Sequence, residues 1–495
     1  MKRIASSLFW IVLASLCLVA CNGTAEGPPA ESLDLVIEGG RVMDPETGLD
    51  AVRNVGIADG RIVAVSQQPL QGTEHLDASG LVVAPGFVDL HAHGQDPVSN
   101  RLQALDGVTT ALEMEVGVYP VKPWLASRQG KAVIHYGATS GHWGARVKLV
   151  DGLEVGHFPT LPEAEATRMD EGDYAYADLS PDRIEELAHL LEQGLDEGGL
   201  GLGFGITYTP GASRLEILRL FQLAARRGVA AYVHLRGENS GGTLGAFQET
   251  IALAASSGAS VHIVHLNSSS GEWAKVALEM IRGARQRGLD VTTESYPYTA
   301  GSTRIESALF DPWEGRSDEE YQRLQWAASG ERLDARTFQK YRKEGGWVII
   351  HGRSEETNQW IVAQPDVMVA SDGIPYLFGP AHPRGAGTFA RVLGRYAREK
   401  GALTLMEALR KMTFMPARRV EGAAPRMKRK GRVQEGADAD LVLFDPRTVI
   451  DRSTYEKGDL PSAGIAHVLV AGTFVVRDSK FIEGVFPGQA IRGGE

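Results

Sequence analysis

Val82-Val83-Ala84-Pro85-Gly86-Phe87-Val88-Asp89-Leu90-His91-Ala92-His93-Gly94 is the stretch on which the fold of this 495-residue chain turns. A short apolar run, rich in β-branched residues and bounded by turn formers, predicts a buried strand over Val82–Asp89. It runs into His-x-His. Residues two apart on a strand face the same way, so His91 and His93 project their imidazoles together. Two neutral imidazoles on one side of a strand end are half of a metal site. The alternative is a hydrogen-bonded histidine pair with a packing role.

Downstream, apolar segments alternate with helical periodicity. Further strands are predicted at Thr109–Glu115, Ala132–Gly137, Gly199–Phe204, Val229–His234, Ser260–His265, Asp290–Glu294 and Asp366–Ser371. Helical spacing is clearest at Pro181–Gln193, Leu215–Arg227, Gly245–Ser257 and Glu272–Arg287. This alternation predicts an α/β fold of parallel βα units. Eight of them predict a (β/α)8 TIM barrel over residues 85–430, with reactive residues at the C-terminal strand ends. An open doubly wound sheet is the alternative, but no Gly-x-Gly-x-x-Gly follows an early strand. Chemistry-bearing residues fall at those ends: His234 closes strand five, His265 closes strand six, and Asp372 follows strand eight. Together with His91 and His93 they point to a metal site. His262 falls on the opposite strand face from His265 and is read as structural. His75, His157, His189, His351 and His467 lack a strand-end placement and are read as surface or core residues.

Flanking the barrel, residues 32–84 and 431–490 show short strands and turns. Asp59-Gly60 between apolar runs is a hairpin signal, and Ala471-Gly472 separates a matching pair near the end. These two segments are expected to join as a small β-sandwich domain. At the N-terminus, Lys2 and Arg3 precede an apolar run from Leu8 to Ala20, which predicts a signal peptide over residues 1–20 that is too short to span a membrane. Leu18-Val19-Ala20-Cys21 resembles the lipobox of bacterial lipoproteins. Cleavage there makes Cys21 a lipid-bearing first residue, with residues 21–31 as a flexible tether. The protein is then exported and lipid-anchored to a bacterial membrane, facing the periplasm or the cell exterior; a plain secretory signal is the alternative. Both cysteines, Cys17 and Cys21, lie in this segment, so the body holds no disulfide. A net charge of −11 and the lack of any Lys/Arg block argue against a nucleic-acid partner.

Several motifs carry a resemblance. They include Gly107-Val108-Thr109-Thr110, Gly141-His142-Trp143-Gly144-Ala145-Arg146, Gly203-Phe204-Gly205-Ile206-Thr207-Tyr208, His234-Leu235-Arg236, Tyr296-Pro297-Tyr298-Thr299-Ala300 and Ser371-Asp372-Gly373. His382-Pro383-Arg384 with Gly387-Thr388-Phe389 is the most specific. With these, Leu33 to Lys480 resembles the amidohydrolase superfamily and, within it, the D-aminoacylase (N-acyl-D-amino-acid deacylase) family. The resemblance implies a metal-dependent hydrolase of carbon–nitrogen bonds holding one or two divalent ions, zinc foremost. It makes His91, His93, His234 and His265 ligands. Asp372 becomes both a ligand and the group that takes the proton of the attacking water and passes it to the leaving amine. Zinc suits that chemistry because it lowers the pKa of bound water to about 7. Tyr208 and Arg236 match positions that hold the substrate's free carboxylate, for which a guanidinium fork is well shaped. The implied partner is a small-molecule amide, an N-acyl-D-amino acid or a similar peptide-like amide.

Two departures accompany the resemblance. The family carries a metal-binding cysteine after strand two, which this chain lacks, and a lysine where this chain has Asn267. The second leaves open a cyclic amide, as in hydantoinases or dihydroorotases, or an uncharged amide. A catalytically inactive binding lipoprotein of the same fold is the alternative from another class, against which Asp372 argues. In place of the cysteine, strand two ends Glu113-Met114-Glu115-Val116-Gly117, two carboxylates on one face, while strand four offers no lysine. Glu115, one pleat or roughly 6–7 Å nearer the barrel mouth, is expected to bridge the ions with Glu113 supporting it.

Overall fold

The computed structural model describes residues 33–157, 172–237, 242–377, 379 and 381–495. The expected signal peptide, the tether and Cys21 lie outside the described residues, and no described helix is long and apolar enough to cross a membrane.

Eight parallel strands surround the centre in chain order: β1 (Phe87–Asp89), β2 (Val108–Val118), β3 (His135–Gly141), β4 (Gly201–Gly205), β5 (Ala230–His234), β6 (Ser260–Ile263), β7 (Val291–Ser295) and β8 (Val367–Val369). The ring closes just past the strands. Ala92 bridges Gly373 in parallel, and the Gly94 amide donates to the Gly373 carbonyl at 2.8 Å. Asp89 accepts from the Ser371 amide at 3.0 Å with one oxygen and from the Ser371 hydroxyl with the other. The expected (β/α)8 barrel is therefore present.

Helices follow the apolar spacing that predicted them. Pro181–Asp196 is capped by Ser180 and buries Ile184, Leu187, Ala188 and Leu191; Arg214–Arg227 is capped by Ser213 and buries Ile217, Leu220, Phe221 and Ala224. Side chains three and four apart share a face, and each large one buried there contributes about 1.5–3 kcal/mol.

The two chain ends join in one branched nine-stranded sheet. Its seam is Val82–Pro85, antiparallel to Leu441–Phe444 and parallel to part of Leu33–Asp44. The run from Val82 to Asp89 is thus two strands rather than the single one expected. Val82–Pro85 belongs to the β domain and Phe87–Asp89 to the barrel, with Gly86 between them. A side chain at Gly86 would meet Thr109 at 2.2 Å, so only glycine lets the chain cross from one unit to the other here.

Two further differences bear on the site. The third strand begins at His135 and not at Ala132, because Ala132–Ile134 is buried beneath the C-terminal tail, whose Gly488 amide donates to the Ala132 carbonyl at 2.9 Å. Between β7 and β8 lies an unexpected three-stranded antiparallel sheet of Gly301–Arg304, Trp347–Ile350 and Leu324–Trp326. Its strands, of three or four residues, are too short to show a period.

Candidate active site

Strand β2 carries the central ligand. All eleven of its residues are buried, and its pairing with β3 is interrupted between Glu113 and Val118. Opposite the interruption, a side chain on Gly203 would come within 2.5 Å of the Glu115 carbonyl, so the glycine of β4 leaves room for the bend. Glu115 consequently stands in the barrel mouth between two histidine pairs. Its Oε2 lies 2.5 Å from His91 Nε2 and 3.1 Å from His93 Nε2. Its Oε1 lies 2.6 Å from His234 Nδ1 and 3.9 Å from His265 Nε2. Asp372 Oδ1 completes the first group at 3.4 Å from His91 and 3.5 Å from His93.

The two ends that carry His265 and Asp372 differ from their expected form. Strand β6 stops at Ile263, and His265 adopts a left-handed backbone (φ 34°) that opens the short helix Leu266–Ser270. Asp372 is left-handed as well (φ 51°). Both side chains reach the centre from turns beyond the strands, which a strict strand period could not show.

The donor set fits divalent ions. Within each pair the ring nitrogens face one another at 3.0 Å, with a Glu115 oxygen close by. One proton can join two such nitrogens but cannot also serve the carboxylate, whereas a cation serves all three at once. His91, His93, Glu115 and Asp372 make one such group and Glu115, His234 and His265 a second, sharing Glu115. The local field agrees. Burial opposes charge on His91, but the carboxylates of Asp372 and Glu115 outweigh it and hold its imidazole well above the usual histidine range. Burial likewise opposes the Glu115 charge, and His91 and His234 hold that carboxyl well below the usual carboxylate range.

Outer partners fix the ligands. Glu294 Oε1 lies 2.9 Å from His91 Nδ1 and accepts from the His265 amide at 2.7 Å. Glu113 Oε2 lies 2.8 Å from His93 Nδ1 and 2.6 Å from His157 Nε2. Such carboxylate–histidine contacts set ring orientation and tautomer at metal centres. Against burial, His93 and His157 pull the Glu113 carboxyl down to about 2. Arg384 grips Asp372 with two nitrogens, at 2.8 Å and 2.7 Å. Glu294, His157 and Arg384 were not singled out as site residues from the sequence. Glu294 sits at the end of a predicted strand, and Arg384 lies in the His-Pro-Arg motif, so both carried a signal; His157, beyond strand β3, carried none.

Above the cluster is a cavity of about 70 Å³ walled by Trp143, Tyr208, Trp347 and Ile374 among others, opening beside a larger one of about 420 Å³. Tyr208 belongs to the inner cavity; its hydroxyl is 3.0 Å from Thr303 Oγ1 and its ring stands edge-on to His234. Arg236 does not join it there. Its guanidinium bonds Glu249 at 3.0 Å and the Ala212 carbonyl at 2.8 Å, and it lines only the larger cavity. The expected carboxylate contact from Arg236 is thus already taken by a carboxylate of the chain itself. His262 faces away from the centre, 2.8 Å from Thr292 Oγ1.

Comparison with known proteins gives consistent matches. Residues 162–476 match the amidohydrolase family. The chain is 33% identical to an N-acyl-D-glutamate deacylase of Alcaligenes xylosoxydans xylosoxydans, over 90% of this chain and 94% of that one. It is 30% identical to a D-aminoacylase of the same organism, over 91% and 96% of the two chains. Among solved structures, the N-acyl-D-glutamate deacylase of Bordetella bronchiseptica, complexed with zinc and a phosphonate mimic of the tetrahedral intermediate, superposes with a TM-score of 0.78 at 28% identity, covering 94% of this chain and all of that one.

Proposed function

Starting from the fact that the chain belongs to the amidohydrolase family and is a metal-dependent hydrolase of carbon–nitrogen bonds, we propose that it deacylates N-acyl-D-amino acids. The observation that carries this reading is the placement of Glu115 between two histidine pairs with Asp372 alongside. The names of the relatives support the substrate class, and the zinc of the Bordetella enzyme supports zinc here. His91, His93, Glu115 and Asp372 would hold one ion, and Glu115, His234 and His265 a second. When bound, zinc polarises a carbonyl and lowers the pKa of water to about 7.

The remaining work falls to the chain. Asp372 takes the proton as water adds to the amide carbon, then delivers it to the nitrogen as the carbon–nitrogen bond breaks, releasing a carboxylic acid and an amine, between which the acid proton passes to give carboxylate and ammonium. Arg384 keeps the Asp372 carboxyl ionised and aimed; burial opposes that charge, but Arg384 and His91 hold the carboxyl below its usual range. Tyr208 forms the wall beside His234, and Trp143 and Trp347 limit the water around the reacting group.

The test is metal analysis of the purified protein followed by matched N-acetyl-D- and N-acetyl-L-amino acids, with hydantoin and dihydroorotate as cyclic amides. Hydrolysis of the D series that chelation abolishes and zinc restores is the expected result. Turnover confined to the cyclic amides or the L series would replace the substrate class. Full activity in metal-free protein would remove the mechanism.

The sequence motif at Leu18-Val19-Ala20-Cys21 further supports an exported protein anchored through lipid on Cys21. Cys21→Ser should release the protein from the membrane fraction or block its maturation. Normal processing with membrane retention would show that the anchor lies elsewhere.

A further inference from the structure

We propose that Arg353 is the residue that anchors the free carboxylate of the substrate. This rests on the deacylase reading above, and assigns its acid-recognising group to the sheet inserted between β7 and β8.

Arg353 follows the inserted strand Trp347–Ile350, and its amide donates to the Thr299 carbonyl at 3.2 Å, which ties it to the end of β7. Its Nη1 donates to the Tyr296 hydroxyl at 2.9 Å and its Nη2 to Ser268 Oγ at 2.7 Å. Both acceptors are neutral. Of the two arginines lining the inner cavity, Arg384 is gripped by Asp372, while Arg353 has no carboxylate in ion-pair range among the described residues. Arg236 is paired as well, with Glu249. Among the described residues, then, no carboxylate engages Arg353, and its spare N–H groups are open to a ligand.

Its setting makes that charge strong. Arg353 is half-buried, with Leu309, Ile350 and Trp347 nearby in the cavity wall. A partly desolvated cation without an anion is costly, and an entering carboxylate would remove that cost. Hydrogen bonds donated to Tyr296 and Ser268 fix the guanidinium plane, which suits two-point binding of a planar carboxylate. Gly301 keeps the space open: a side chain there would lie 2.7 Å from Arg353 Nη2 and displace it.

Its position suits the substrate. Arg353 lines both cavities, as do Ser268, Leu309 and Ile350. An acylated amino acid with its amide at the histidine cluster must reach beyond an inner space of about 70 Å³, and Arg353 stands where it would leave.

The test measures binding without turnover. Zinc-loaded full-length protein is titrated calorimetrically with N-methylsulfonyl-D-leucine, in which a sulfonamide replaces the scissile amide, and with its neutral carboxamide. Wild-type protein should prefer the acid by about tenfold to a hundredfold, the scale of a charge-assisted hydrogen bond. Arg353→Met should abolish the preference while leaving zinc content and carboxamide affinity unchanged. Arg353→Lys should retain part of it, and Gly301→Ala should narrow it with no change of charge. The proposal is overturned if wild type shows no preference, if the preference survives Arg353→Met, if it vanishes only in Arg384→Met, or if Arg353→Met weakens both ligands equally. Hydrolysis of N-acetyl-D-leucine is assayed separately. A wild type that prefers the acid but does not hydrolyse that amide would sink the deacylase reading and leave the anchor standing.

Discussion

Glu115 and Glu113 are two residues apart on one strand, yet they do different jobs. Glu115 reaches all four histidines of the cluster, whereas Glu113 meets the outer nitrogen of His93 and, behind it, His157, and accepts from the Val116 amide at 3.3 Å. Glu115→Gln should therefore lower metal content and activity together, read by metal analysis and kcat on the same sample. Glu113→Gln should cost about 10- to 100-fold in metal affinity, the usual effect of losing an outer partner, and less than Glu115→Gln. A larger loss at Glu113 would shift the bridging role by one pleat. Asp372→Asn should keep the metal and lose at least about 100-fold in kcat, since the amide cannot accept the proton of water. A near-wild-type rate would take Asp372 out of the proton path. That these carboxylates share a face was legible from their spacing; which oxygen meets which histidine was not, because two of the partners, His234 and His265, lie more than a hundred residues away in the chain.

Elements position what residues then do. Strand β2 can carry Glu115 into the mouth because β4 opposite is Gly201-Leu202-Gly203-Phe204-Gly205 and yields at Gly203. Gly203→Ala would place a methyl within 2.5 Å of the Glu115 carbonyl and 2.3 Å of Thr139 Oγ1. We expect a lower melting temperature, by the roughly 1–3 kcal/mol typical of overpacking, and reduced zinc content although every ligand remains. Unchanged zinc content would show that β2 finds its bend without β4. The long helices and most barrel strands were legible, because an apolar stripe at helical spacing or a buried β-branched run is a strong local signal. The inserted sheet was not, and it supplies Trp347 and Ile350, with Arg353 just after it, to the cavity. Its short strands are held by pairing with each other and by the core around Phe310, Phe338 and Tyr321, and that is a tertiary cause.

At the scale of the molecule, the barrel and the β domain are joined by a buried charge cluster. Asp440 precedes the seam strand Leu441–Phe444 and lies 3.0 Å from His135 at the start of β3, while also accepting from Lys430 and from the Ala471 amide at 2.7 Å. Burial opposes its charge, but His135 and Lys430 hold the carboxyl far below the usual carboxylate range. A carboxyl lowered in this way stabilises the fold fully above the unfolded value of about 4. That stabilisation is lost as pH falls below it toward the folded value. Asp440→Asn should cost about 3–5 kcal/mol at neutral pH by leaving the Lys430 ammonium without one of its buried partners. The variant's deficit relative to wild type should shrink as pH drops below about 4, measured by denaturant unfolding. A deficit independent of pH would assign the loss to packing.

From local pattern alone the chain specifies its barrel, the strand-end histidines and the pair of carboxylates on β2. Periods of two and 3.6 are properties of neighbouring residues, and they survive without knowledge of the rest of the fold. Chain crossing at Gly86, the left-handed turns at His265 and Asp372, and the pairing of arginines with carboxylates depend on residues far apart in sequence. Arg236 and Arg353 make the contrast concrete. Both are arginines beyond strand ends, and only the folded molecule reveals that Glu249 neutralises the first while the second lines the cavity with no carboxylate partner among the described residues, because ion pairing is settled by distances that the chain order does not contain.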